Sequence, residues 1–131
     1  MKLLIAVALG ALCASLLSGK AAAKAPAELL QSCRAVIDAA DATQSPSLDI
    51  PVAGLPCWYY MAAVQNLSVV VDERGRHLLG ICAPQDTTLL EYVRIFTRYA
   101  QDHPQETADN PAALALRALL DAFPCGSRQP S

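Results

Sequence analysis

The sequence predicts an all-α protein: a small four-helix bundle stapled by two disulfides, following a cleaved signal peptide. Three observations point there. Apolar residues from Leu89 to Phe123 recur at helical spacing, in two runs with recognisable caps. Four cysteines remain once an apolar leader is removed, an even count in a short exported chain. Prolines and polar turns separate the apolar runs, where they end helices.

The leader comes first. Lys2 precedes an almost unbroken apolar stretch from Leu3 to Leu17, and Ala21-Ala22-Ala23 follows. This is the plan of a signal peptide over residues 1–23, with cleavage expected after Ala23. The stretch is too short for a transmembrane span, so no stable membrane anchor is expected after its removal. Cys13 leaves with the leader, and bulky Leu12 before it argues against a lipid-modified cysteine. Residues 24–125 form one domain in this reading, and 126–131 a disordered tail.

The first helix of the domain is expected over Glu28 to Ala40, with Leu29, Leu30, Cys33, Val36, Ile37 and Ala40 on one face. Asp41 to Pro56 reads as a linker anchored by Ile50 and Val52. The second helix is expected from Cys57 to about Val71, apolar on two adjoining faces. Three consecutive valines also favour strand, so a short hairpin over residues 69–81 competes with the end of this helix.

Thr88 opens the third helix. Glu91 stands three residues on, which makes a capping box. Leu89, Val93, Phe96 and Ala100 form its apolar stripe, and Pro104 stops it. Asn110 then caps the fourth helix, with Pro111 at the first position, where its missing N–H costs nothing. The run ends at Phe123-Pro124. These two helices would span about 21 Å and about 18 Å at ~1.5 Å per residue. Folded back on each other, they bring Cys82 beside Cys125. A disulfide there would close a loop of about 43 residues, worth roughly 4 kcal/mol. Cys33 is left to pair with Cys57.

Composition narrows the function. With Lys2 and Lys20 removed, eight Lys or Arg face twelve Asp or Glu, a formal charge of about −4. That argues against nucleic acid and against anionic membrane surfaces. An enzyme lacks residues: the cysteines are committed to bridges, Ser68 and His77 have no nucleophile-elbow context, and no phosphate-binding glycine loop is present. His103 before Pro104 suits a helix C-terminus, where an imidazolium complements the dipole. Cysteine spacing does not fit a zinc site. No metal and no cofactor are expected, and a binding protein is the better class.

Several features together resemble a known family. They are the helix bearing Cys33, Cys57-x-x-Tyr60, Cys82-x-Pro84, the Thr-led helix, His103-Pro104 and the closing Ala122-Phe123-Pro124-Cys125. In that order, over about residues 28–125, they resemble the Rap/Tai family, the resistance-associated and type VI amidase immunity proteins of Gram-negative bacteria. The resemblance implies a periplasmic, helical, disulfide-bonded protein whose partner is a peptidoglycan amidase effector delivered by type VI secretion. It also implies the mechanism, in which a loop enters the amidase cleft without any chemistry by the immunity protein. The family's second helix usually carries glycine beside the tyrosine and again four residues on; here Tyr59 and Ala63 stand there.

Two loops could do the blocking, Asp72 to Gly80 and Gln101 to Asn110. The first is preferred for its charged Asp72, Glu73, Arg74, Arg76 and His77 around Gly75. A homodimer is admitted beside the effector complex. The alternative function is a small periplasmic acid-stress chaperone, similar in outline to the HdeA type, or another helical binding module.

Overall fold

The computed structural model describes residues 25–43, 48–107 and 110–126. The expected signal peptide at 1–23 and all of the expected tail beyond Gly126 lie outside the described residues. Four helices carry the fold: α1 (Ala25–Ala42), α2 (Leu55–Ser68), α3 (Leu89–Asp102) and α4 (Pro111–Ala122). Single 3₁₀ turns at Val52–Gly54 and Pro104–Glu106 precede α2 and follow α3. Among the described residues there is no strand, only two isolated antiparallel bridges, Val71 with His77 and Ile81 with Pro124.

α3 is the central element, packed on α1, α2 and α4. Its buried residues are Tyr92, Val93, Phe96, Thr97 and Ala100, a stripe at helical spacing. The capping box forms as expected. Thr88 Oγ1 accepts from the Glu91 N–H, and the Glu91 carboxylate accepts from the Thr88 N–H at 2.6 Å. Thr88→Ala is expected to cost about 1 kcal/mol, read as a lower urea midpoint with an unchanged slope. Asn110 caps α4 by accepting from the Ala112 N–H at 2.8 Å.

Both disulfides form in the expected pairing, Cys33–Cys57 and Cys82–Cys125. The first lies in the core, with both cysteines fully buried. The second closes the α3–α4 hairpin at the surface. There the Cys82 N–H donates to the Phe123 carbonyl at 2.8 Å, and the Cys125 N–H to the Gly80 carbonyl at 3.2 Å.

The join between α1 and α2 was not visible in the spacing of residues. Ser32, buried on α1, donates to the Ala53 carbonyl at 2.7 Å and accepts from the Cys57 N–H at 3.0 Å. It thereby satisfies the start of α2, which has no side-chain cap of its own. Gly54 lies so close to α1 that a Cβ on it would meet Val36 Cγ2 at 2.7 Å.

Three expectations are corrected. α1 is longer than Glu28 to Ala40 at both ends. α2 takes in Leu55 and Pro56, because a proline in the first turn lacks only an N–H that has no helical partner. α2 also ends at Ser68, not at about Val71. Continuing it would pair the Ser68 carbonyl with the Asp72 N–H. That carbonyl instead accepts from His77 Nδ1 at 2.9 Å, and the Asp72 N–H goes to the Arg76 carbonyl. Leu67, Val69 and Val71, expected on the apolar faces of the helix, are consequently exposed. In the linker, Ile50 packs against the core as expected, whereas Val52 is exposed.

Tyr59 and Ala63 both face solvent. Among the described residues nothing buries either side chain, so the absence of glycine at these positions costs no packing. The aromatic run divides accordingly: Trp58 and Tyr60 pack against the core, and Tyr59 stands out.

Candidate partner-binding surface

The residues singled out from the sequence all lie on one turn between α2 and the 81–87 segment. Beyond Ser68 the backbone reverses on itself. The Leu78 N–H donates to the Val70 carbonyl at 2.9 Å, and the Gly75 N–H to the Asp72 carbonyl at 2.9 Å. Gly75 carries the reversal at φ 75°, a conformation costly for a side-chain-bearing residue. Among the described residues, its chain neighbours aside, no atom lies within 4 Å of where its Cβ would stand, so the tip projects away from the body.

Asp72 sets the shape of the tip. Its Oδ1 accepts from the backbone N–H groups of Arg74 and Arg76, each at 2.9 Å. Its Oδ2 accepts from the Arg76 guanidinium, at 2.8 Å from Nε and 2.7 Å from Nη2. The Arg76 backbone N–H, and then the Arg76 side chain, hold the Asp72 carboxyl below the usual carboxylate range. Asp72 and Arg76 thus serve the loop's own geometry. Glu73 and Arg74 are exposed and make no ion pair among the described residues.

His77 forms the base of the turn. Its Nδ1 faces the Ser68 carbonyl, which can only accept, so Nδ1 carries the proton and Nε2 is left as an acceptor when the ring is neutral. The Ser68 hydroxyl points elsewhere. It donates to the Gln65 carbonyl at 2.7 Å and accepts from the Tyr92 hydroxyl at 3.0 Å. Ser68 and His77 are therefore neighbours in space, yet not as nucleophile and base. This Ser68–Tyr92–His77 cluster was invisible in the sequence, where its members are up to 24 residues apart.

Around the charged tip the surface is apolar. Leu67, Val69, Val70, Val71 and Leu78 are exposed, and exposed Leu120 reaches toward Gly80. Beside the tip runs an open groove of about 650 Å³, lined by Gln65, Ser68, Val69, His77, Ile81 and Pro84 among others.

The second candidate loop, Gln101 to Asn110, is tied to the body. His103 stacks on Tyr99 with ring centroids 4.0 Å apart, and its Nδ1 donates to the Tyr99 carbonyl at 3.0 Å. Glu106 accepts from the Tyr99 hydroxyl and from Arg117. Residues 108 and 109 of this loop lie outside the described set.

Among the described residues every cysteine is in a disulfide, and no group of three or more His, Cys, Asp or Glu could hold a metal ion. Among them, too, no helix is long and apolar enough to cross a membrane. A family model described as Rap1a immunity proteins matches residues 25–125. No curated protein and no solved structure matches the chain.

Proposed function

The chain belongs to the Rap1a immunity protein family, whose members bind a partner effector, and we propose that its effector is a peptidoglycan amidase delivered by type VI secretion. In this reading the signal peptide is removed, the domain acts in the periplasm, and the Asp72–Gly80 turn enters and occludes the amidase cleft. The projecting tip supports it most directly. Glu73 and Arg74 stand free on a turn braced by Asp72 and Arg76, within a rim of exposed valine and leucine. Charged tips give specificity and on-rate, apolar rims give buried area, and a braced loop loses little entropy on docking. The immunity protein supplies no catalytic group; exclusion of peptidoglycan from the cleft is sufficient.

The test is inhibition of a purified type VI amidase from the same bacterium by the exported, oxidised protein. Stoichiometric binding with loss of peptidoglycan hydrolysis is expected. Sedimentation of the protein alone reads whether it forms a homodimer. Reversing the free charges (Glu73→Arg with Arg74→Glu) is expected to weaken the complex at least about tenfold without moving the thermal midpoint. Arg76→Glu removes the brace and repels Asp72, so it should weaken binding through the shape of the tip. Unchanged affinity in the charge-reversed protein would take this turn out of the interface.

A further inference from the structure

We infer that the groove beside the tip is a second contact for the effector, taking an uncharged, extended stretch of its chain. This rests on the effector reading above and adds a site to it.

The lining carries no Asp, Glu, Lys or Arg. A charged segment entering it would lose hydration with no counter-charge to replace it. Two polar side chains of the groove are fixed by internal bonds so that each presents an acceptor. Gln65 donates one amide N–H to the Thr87 carbonyl at 3.1 Å, which fixes the side chain and leaves Oε1 to accept beside its second N–H. His77 commits Nδ1 to the Ser68 carbonyl, which leaves Nε2 to accept. Both acceptors are held in place by internal bonds, so little side-chain entropy is lost when a donor arrives. Val69, Ala83 and Pro84 supply apolar wall between them.

An extended polypeptide matches this surface. It offers backbone N–H donors at regular intervals and directs alternate side chains toward apolar wall. Continuity favours the effector as its source. Val69 and His77 belong both to the groove and to the base of the projecting turn, so a partner seated on the tip is already beside the groove.

The experiment uses the intact oxidised protein and the amidase it inhibits. Asn66, exposed on α2 at the groove, is replaced in Asn66→Trp to fill the space from the solvent side. His77→Asn retains a nitrogen donor for the Ser68 carbonyl and removes the Nε2 acceptor. Each variant is expected to bind the amidase at least about tenfold more weakly, at an unchanged thermal midpoint. A photo-crosslinker at Gln85 should capture an amidase peptide without charged residues at its centre. Wild-type affinity in both variants, alongside weakened binding by the tip charge reversal, would overturn the groove and leave the effector reading standing. Binding of soluble peptidoglycan fragments by the wild type but not by Asn66→Trp would overturn it in favour of a glycan site. Failure of the wild type to bind any amidase would overturn both.

Discussion

Replacing Cys33 and Cys57 together by alanine is expected to remove about 4–5 kcal/mol of stability, enough to leave the protein largely unfolded at physiological temperature. The bridge closes a separation of 24 residues, for which chain entropy alone gives roughly 3.5 kcal/mol. Both sulfurs are fully buried against the core, so their loss also leaves a cavity worth about another 1 kcal/mol. Total stability in a domain of this size is commonly about 5–15 kcal/mol. A fall of roughly 20 °C in thermal midpoint is the corresponding readout.

The comparison with Cys82–Cys125 decides which effect governs. That bridge spans 43 residues, so chain entropy ranks it slightly above the first, at roughly 4 kcal/mol. Cys125 is exposed, however, and backbone hydrogen bonds on both sides hold the same ends together. Burial should therefore outweigh loop length, and Cys82→Ser with Cys125→Ser should cost less than the core pair. Equal or greater loss from the surface pair would show that loop entropy dominates here.

Phe96→Ala is expected to cost about 3–5 kcal/mol, the range for deleting a buried aromatic ring. Phe96 is fully buried on α3, which packs on α1, α2 and α4, so its cavity opens at the junction of the bundle. Tyr92 on the same stripe is held by Ser68 and lies 6.1 Å from the Phe123 ring, which limits collapse into the space. Urea denaturation measures the loss. Leu120→Ala, on an exposed leucine of α4, should stay within about 0.5 kcal/mol and serves as the surface reference. A loss at Phe96 no larger than that reference would mean α3 is not the centre of the core.

Much of this fold is written in short-range patterns. Thr88 with Glu91, and Asn110 with Pro111, announce helix starts because a cap satisfies N–H groups within three residues of itself. The stripe on α3 is legible because its apolar and charged faces are distinct. The pairing of Cys82 with Cys125 follows once two helices of similar length are folded back on each other. The charged residues of the tip were also legible, since five of them surround a single glycine.

The sequence by itself thus determined the helical class, the two bridges, the caps and the place of the candidate turn. Only the tertiary structure decided where α2 stops and which of its apolar residues are left outside. Apolar residues on both faces of α2 do not say which face a neighbour will cover. Its end was set by His77, nine residues on, taking the Ser68 carbonyl. Likewise Glu73 and Arg74 could be separated from Asp72 and Arg76 only when the hydrogen bonds inside the turn were known. The groove exists because Gln65, Thr87, Tyr92 and His77 meet across the fold, and no local pattern encodes a meeting of distant residues.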